Sequence, residues 1–238
     1  MIPLLDSAVI ALLNHVSRGS AVFDDAVGTL AVNDLLKGSV LLAGVWLLWF
    51  EALPPPARVQ RRQTLLAGLA ACFLAMAVAR SLAYGLPFRL RPLHDAASGV
   101  LLPLGMVTTV LDRWSSFPSD HAALYFCLAG ALWAAQRRLG ALALLHVTLV
   151  ICLPRVYLGL HYATDILAGA AIGLAAAWLL QRDALRRSVS ALPLRIEQQS
   201  PRAFNALLFL LSFEMVEQFN SLRQLGSLAL RAARPWLL

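Results

Sequence analysis

Long apolar runs separated by short polar segments form the main pattern of this sequence. Each run is roughly 18–24 residues long, and an α-helix of that length crosses a hydrocarbon core of about 30 Å at about 1.5 Å per residue. The pattern therefore predicts an all-α integral membrane protein, a helical bundle of five to six transmembrane helices. The five clearest runs are at about 36–53, 63–86, 119–136, 139–157 and 162–181.

The two ends of the chain carry weaker patterns. Residues 1–35 place apolar side chains at helical spacing, which predicts an amphipathic segment that lies on the membrane. Residues 183–238 begin a tail whose apolar run at 203–213 is too short to span. We expect this tail to form an interfacial helix or a sixth span beside a transmembrane core at 36–182.

Composition and charge agree with a membrane location. The 238 residues are 59 % hydrophobic and 14 % charged, with a formal net charge of +7, whereas about a quarter of a soluble domain is charged. The arginines lie in short clusters between apolar runs, which is typical of cytoplasmic loops and argues against nucleic acid as a partner. Clusters at 58–62, 137–138 and 182–187 fall on one side of a five-span bundle. We expect that side to be cytoplasmic, in a multi-pass protein of the inner (plasma) membrane.

The other span ends then face the periplasm or exterior. The longer outer loop, 87–118, contains four prolines, and we expect a short re-entrant or interfacial helix in it at about 98–112. Arg80, Arg89 and Arg91 lie at this face, against the usual topology of positive charge. Because guanidinium groups bind phosphate oxygens in bidentate fashion, these arginines predict a phosphate ligand.

A second candidate segment opens the third span, where the sequence reads Phe-Pro-Ser-Asp-His. A proline followed by Ser119 and Asp120 indicates the start of a helix. The unpaired N–H groups of a first turn, together with the helix dipole, form a site for an anion. His121 would then be placed to deliver a proton to a departing oxygen. The alternative is an ordinary N-cap followed by an interfacial histidine.

A third candidate segment joins the last two spans. His161 and Asp165 are four residues apart, so they share one face of a helix, and an aspartate in an apolar span requires a partner. A carboxylate bonded to one imidazole nitrogen leaves the other nitrogen free to attack. Arg155 can return to the same pocket across a turn at Gly159. The histidine–aspartate pair could instead be a structural contact or a pair of metal ligands.

Together, these segments resemble the type 2 phosphatidic acid phosphatase superfamily, which includes bacterial undecaprenyl pyrophosphate phosphatases. The superfamily pattern runs K-x6-R-P, then P-S-G-H, then S-R-x5-H-x3-D. The matching residues, in order and with plausible gaps, are Arg91-Pro92, Pro118-Ser119-x-His121 and Arg155-x5-His161-x3-Asp165. The resemblance covers about the central third of the chain.

Three positions depart from the superfamily pattern. Tyr84 stands where the pattern has lysine, Asp120 where it has glycine, and Pro154 where it has serine. Arg80 is the nearest basic residue upstream and is the candidate to replace the lysine. The departures leave both histidines and the last aspartate in place.

The resemblance implies a mechanism for these positions. His161 attacks phosphorus and forms a phosphohistidine, Asp165 orients His161, and His121 protonates the leaving oxygen. The scheme requires no metal or other cofactor. The residues expected to bind the phosphoryl group are Arg91, Arg155, Ser119, Asp120, Arg80 and Arg89.

The sequence therefore predicts a membrane lipid phosphatase. Its expected substrate is a lipid phosphate or diphosphate, with a polyprenyl diphosphate such as undecaprenyl diphosphate favoured, and its expected partners are that lipid and the bilayer. A homo-oligomer is left open. The alternatives are a lipid phosphotransferase with the same site, a non-catalytic lipid-phosphate-binding subunit, and a metal-dependent hydrolase with His121, His161 and Asp165 as ligands.

Overall fold

The computed structural model describes residues 2–109, 111, 113–221, 224, 225 and 227, and every regular element in them is helical. The α-helices are α1 (Leu4–Asn14), α2 (Ala21–Val32), α3 (Val40–Trp49), α4 (Pro55–Gly85), α5 (Asp120–Ala135), α6 (Arg137–His146), α7 (Leu153–Tyr157), α8 (Ala163–Leu180), α9 (Asp183–Gln199) and α10 (Pro201–Val216). Two π-helical stretches are continuous with these helices. Leu35–Ser39 leads into α3, and Val147–Cys152 joins α6 to α7.

Several segments have the length and composition of membrane spans. Within the described residues these are Pro55–Gly85, Arg137–Tyr157 and Ala163–Leu180. A fourth candidate is the pair Ala21–Val32 and Leu35–Trp49, whose two helices are bent by 67° relative to each other. The predicted fold class, an all-α membrane bundle, is confirmed. Helix α2, which belongs to the segment expected to lie on the membrane, is one arm of this bent pair.

Helix α5 lies in the middle of the bundle, where it packs against α4, α6 and α8. Two glycines allow α8 to approach it closely. A Cβ atom at Gly169 would lie 2.3 Å from the backbone oxygen of Ser119, and one at Gly173 would lie 2.3 Å from that of Ala123. Small residues permit such close packing between membrane helices. The contact fixes the second and third turns of α8 against the start of α5.

Successive spans alternate in direction, so their ends gather at the two ends of the bundle. At one end, the backbone N–H of Ser119 donates to the carbonyl of Asp165 at 3.1 Å. At the other, the Gln181 side chain at the end of α8 donates to the carbonyl of Thr64 near the start of α4 at 2.9 Å. The arginine clusters that lie in the first two turns of α4, open α6 and follow α8 lie at this second end.

The long loop between α4 and α5 has little regular structure. Among its described residues, helix is limited to single turns at Pro92–His94 and Ala96–Ser98. The helix expected at about 98–112 is absent from the described part of the loop. Pro103 lacks a backbone N–H, and Gly105 adopts φ +76°, so neither favours a continuous helix.

The N-terminal segment holds this loop in place. The amide of Asn14 donates to the carbonyl of Gly99 at 2.8 Å, while its side-chain oxygen accepts from the N–H of Leu101 at 2.8 Å. The hydroxyl of Ser17 donates to the carbonyl of Leu101 at 2.6 Å. Because side chains from the α1–α2 region satisfy the loop backbone, the loop can be irregular and still be fixed.

Helix α10 runs lengthwise along the bundle. At its start, the indole N–H of Trp49 donates to the side-chain oxygen of Asn205 at 3.2 Å. At its end, the hydroxyl of Tyr125 donates to the carbonyl of Val216 at 2.6 Å. Trp49 ends α3, whereas Tyr125 lies near the start of α5. The described residues directly after α10, among them Gln218, therefore come to the same end of the bundle as the outer loops.

Candidate active site

Asp165 is anchored in the first turn of α8. Its fully buried carboxylate accepts from the backbone N–H of Tyr162 at 2.7 Å, from the guanidinium of Arg89 at 2.5 Å and from the hydroxyl of Ser116. A carboxylate at a helix N-terminus is stabilised by the unpaired N–H groups there. These contacts occupy both carboxylate oxygens.

His161 is oriented by a backbone carbonyl. Its Nδ1 lies 2.9 Å from the carbonyl oxygen of Ser116 and 3.7 Å from Asp165 Oδ2, which is beyond hydrogen-bond distance. A carbonyl can only accept, so Nδ1 carries the proton and Nε2 presents a lone pair. The direct carboxylate bond expected from the sequence is replaced by a relay in which Ser116 contacts both side chains. The reason is that Arg89 and the α8 N-terminus already occupy Asp165.

The free nitrogen of His161 faces a buried arginine. Nη1 of Arg91 lies 3.2 Å from His161 Nε2 and donates to the carbonyl of Leu160 at 2.6 Å, and Nη2 donates to Ser115 O at 3.3 Å. Burial lowers the pKa of Arg91, but an arginine remains charged at physiological pH. An anion bound by Arg91 is therefore placed at the nucleophilic nitrogen.

Burial also decides the charge of His161. Its pKa is lowered from the usual value, first by burial and further by the neighbouring charge of Arg91, while Asp165 opposes this shift. The neutral form is consequently favoured at neutral pH. A neutral imidazole that keeps a lone pair on Nε2 is the form that can attack phosphorus.

His121 is paired with the residue that precedes it. Its Nδ1 lies 3.0 Å from Asp120 Oδ1, which also accepts from the backbone N–H of His121 at 2.8 Å. The second oxygen of Asp120 lies 3.8 Å from Arg80 Nη2. Since a carboxylate only accepts, Nδ1 of His121 is protonated and the Nε2 side is available for proton transfer. The structure thus gives Asp120 a contact with His121, which differs from the expected role as a phosphate ligand.

Both histidines line one cavity of about 340 Å³, called here the phosphoryl cavity. Arg91 and Arg155 line it as well, with only 5 % and 6 % of their surfaces exposed. Nε of Arg155 is buried and has no hydrogen-bond partner in the described part of the chain. The remaining lining residues are Leu111, Trp114, Asp120, Leu160, Gln218 and Asn220. The predicted convergence of distant segments on one pocket is present in the structure.

Three predicted phosphate ligands lie outside the phosphoryl cavity. Arg89 donates to Asp165 and, at 2.7 Å, to the buried carboxylate of Asp6. Ser119 is the fully buried N-cap of α5, where its hydroxyl accepts from the N–H of Ala122 at 3.3 Å. Arg80 lines an adjoining compartment. Arg89 and Ser119 therefore support the catalytic side chains from behind, and Arg80 reaches the site through Asp120.

Three residues of the candidate active site were not predicted from the sequence. Asp6 accepts from the backbone and hydroxyl of Thr164 at 2.9 and 2.7 Å, and its signal was an acidic residue within the first apolar run. Ser116 contacts Asp165 and His161 without any motif of its own. Gln218 comes from the tail, where only the approach of α10 to the site reveals it.

The positions of His121, His161 and Asp165 can be compared with those that a shared metal ion would require. Among the described residues, no three histidine, cysteine, aspartate or glutamate side chains converge as metal ligands. His161 and Asp165 meet through Ser116, and His121 pairs with Asp120. The arrangement places two imidazoles and two guanidinium groups around one cavity.

Comparison with known proteins identifies the family of this chain. No curated protein and no solved structure matches the chain. The model of the PAP2 superfamily matches residues 64–188, just over half of the 238 residues. The match spans every position of the three motif segments, from Arg91 to Asp165. On this match, the chain belongs to the PAP2 superfamily.

Proposed function

We propose that the protein is a membrane lipid phosphatase that hydrolyses a lipid phosphate or diphosphate through a phosphohistidine at His161. Membership of the PAP2 superfamily supports phosphatase-type chemistry on lipid phosphates. One observation supports the phosphohistidine at His161 most directly. Nε2 of His161 faces Arg91 in a cavity that Arg155 and His121 also line. The cavity therefore brings together an attacking atom, two phosphate-binding cations and a proton donor.

In the first step, Nε2 of His161 attacks phosphorus while the bond between phosphorus and the lipid oxygen breaks. His121, which enters this step with protons on both ring nitrogens, gives its Nε2 proton to that oxygen and keeps its Nδ1 proton, which is hydrogen-bonded to Asp120. The lipid therefore leaves as a neutral hydroxyl or as a protonated phosphate. The proton of His161 stays on Nδ1, which donates it in a hydrogen bond to the carbonyl of Ser116. Asp165, at 3.7 Å, balances the positive charge that develops on the imidazole ring.

In the second step, water attacks phosphorus and breaks the bond to His161. His121 now accepts a proton from that water, so both histidines return to their starting states and inorganic phosphate leaves. Arg91 and Arg155 remain charged throughout and stabilise the negative charge on the phosphoryl oxygens in both transition states.

Polyprenyl diphosphate is our first choice of substrate. The compartments that adjoin the phosphoryl cavity carry apolar walls, which suits a long hydrocarbon chain. The arginine clusters lie at the opposite end of the bundle from the cavity, and positive clusters mark the cytoplasmic side. We therefore place the protein in the inner (plasma) membrane with its site facing the periplasm or exterior.

The test is phosphate release from a panel of purified lipid monophosphates and diphosphates, with EDTA present throughout. His161→Ala should release no phosphate, whereas His15→Ala, at an exposed histidine in the turn after α1, should match wild type. Retained activity in His161→Ala would overturn the phosphohistidine proposal. Lipid dephosphorylation without stoichiometric inorganic phosphate would instead identify a phosphotransferase.

A further inference from the structure

Two further compartments share walls with the phosphoryl cavity. One, of about 370 Å³, lies beside the end of α4 and is called the α4 chamber; Arg80, Tyr84 and Phe88 line it. The other, of about 610 Å³, lies beside α2 and is called the α2 chamber; Gly28 and Val32 line it. Pockets that bind small molecules usually have volumes of about 300–1,000 Å³, so each chamber can hold part of a ligand.

Each of the two chambers is lined by one of the two proposed catalytic histidines. His161 lines the phosphoryl cavity and the α4 chamber, whereas the wall of the α2 chamber does not include it. His121 lines the phosphoryl cavity and the α2 chamber, and the wall of the α4 chamber does not include it. Each chamber is thus associated with one of the two histidines.

In a phosphoryl transfer, the attacking atom and the departing oxygen lie on opposite sides of phosphorus. The general acid must reach the departing oxygen. With His161 as nucleophile and His121 as acid, the departing group lies on the side of the α2 chamber. We infer that the α2 chamber holds the departing lipid, an apolar chain ending in oxygen that is either a lipid alcohol or a lipid monophosphate.

The walls of the α2 chamber suit such a group. Its apolar part comes from α2 and from the loop that contains Met106 and Val107. Where it meets the phosphoryl cavity, the chamber has the amide of Gln218, a residue that is 7 % exposed. Nε2 of Gln218 has no hydrogen-bond partner among the described residues. A buried unsatisfied donor is costly, so this amide is placed to bind an oxygen of the departing group.

The charged groups in this wall are mostly paired within the protein. Lys37, the chain's single lysine, lies 2.7 Å from Asp34. Asp24 accepts from the hydroxyl of Tyr157, and Glu217 accepts from a serine hydroxyl. With these charges paired, the apolar surface and the Gln218 amide are available to the lipid, beside Arg155 and His121, which this wall shares with the phosphoryl cavity.

Family membership does not supply this chamber. Helix α2 and Gln218 both lie outside residues 64–188, which the superfamily model matches. The inference rests on the proposed function, because it needs a departing lipid. It adds the location of that lipid, in a chamber whose α2 wall and Gln218 lie beyond the matched region while its loop wall lies within it.

Gly28 offers a way to block the chamber without disturbing the fold. A Cβ atom built there meets nothing within 4 Å, and leucine favours a helix more than glycine does. Gly28→Leu should lower kcat/KM for a prenyl phosphate and a prenyl diphosphate by at least about tenfold. The inhibition constant for inorganic phosphate, which needs only the phosphoryl cavity, should stay within about twofold. Thr29→Leu, at the exposed neighbour outside the chamber wall, is the matched control.

Val32→Trp provides a second blocking variant at a position that is 72 % exposed, and Ala83→Leu fills the α4 chamber for comparison. Unchanged lipid turnover in both blocking variants would overturn the inference, as would a larger loss in Ala83→Leu than in either. A parallel loss of phosphate affinity in both blocking variants would also overturn it, by showing that the wall supports the phosphoryl cavity. If only the diphosphate reaction suffers, the departing group is a lipid monophosphate. Wild-type protein that dephosphorylates no lipid would instead refute the proposed function.

Discussion

Replacing Arg89 by methionine distinguishes two roles for this arginine, phosphate binding and structural support. The sequence places Arg89 among the phosphate ligands. In the structure its guanidinium donates to Asp165 at 2.5 Å, to Asp6 at 2.7 Å and to the hydroxyl of Thr164 at 2.9 Å. It also lies over the ring of Tyr162, 4.1 Å from the centroid. We therefore expect Arg89→Met to destabilise the fold much more than it weakens phosphate binding.

The magnitude follows from the burial of the partners. Asp6 and Asp165 are fully buried, and Arg89 is 25 % exposed at its side chain. Removing one partner of a buried ion pair costs about 3–5 kcal/mol, and the partial exposure of Arg89 places the loss near about 3 kcal/mol. In Arg89→Met, two buried carboxylates lose their shared cation. Adding Asp6→Asn removes one of those charges, so the double variant should recover about 1–2 kcal/mol.

The assay is denaturant unfolding in detergent micelles, followed by tryptophan fluorescence, with the phosphate inhibition constant measured on the folded protein. Arg113→Met is the control, because Arg113 lies in the same outer loop and no ion pair of this arginine is found among the described residues. Our reasoning would be refuted by an Arg89→Met variant of wild-type stability whose phosphate inhibition constant rises about tenfold or more. That result would restore Arg89 to the phosphate ligands.

Further predictions concern the chemistry and the cap of α5. Because the pKa of His161 lies below the usual value of about 6.5 and the neutral form attacks, the acid limb of the kcat/KM profile should lie below pH 6.5. Arg91→Gln removes a charge that lowers this pKa, so the limb should move to higher pH. Asp120→Asn should lower kcat by about 10²-fold, since His121 loses the carboxylate that supports its protonated form. Ser119→Ala should cost about 1 kcal/mol of unfolding free energy, with little change in phosphate inhibition.

The convergence of the motif segments could be predicted from the sequence. Each segment follows or opens an apolar run, and alternating spans return the chain to the same membrane face. That argument is enough to place Arg91, His121 and His161 together, as the structure does. It needs only run lengths and the order of the segments.

Other features could not be predicted, for physical reasons. The partner of Arg89 is Asp6, 83 residues earlier in the chain, and no local pattern links the two. The group that orients His161 is the backbone carbonyl of Ser116. Every residue has such a carbonyl, so the sequence cannot indicate which one serves. The position of Gln218 depends on the packing of α10 along the bundle, which the short apolar run of the tail does not specify.

The candidate site combines residues from the matched region, 64–188, with residues that precede it. The groups that would touch phosphorus lie within residues 64–188, and their geometry depends on the close packing of α5 and α8. Asp6, which accepts from Arg89 and so helps to hold Arg89 against Asp165, lies before that region. The α2 wall of the α2 chamber also lies before it. A substitution at Gly28 or Val32 can therefore change which lipid fits while Arg91 and both histidines keep their contacts. We therefore expect substitutions in α2 to alter lipid specificity more than phosphoryl chemistry, because α2 lines the α2 chamber and not the phosphoryl cavity.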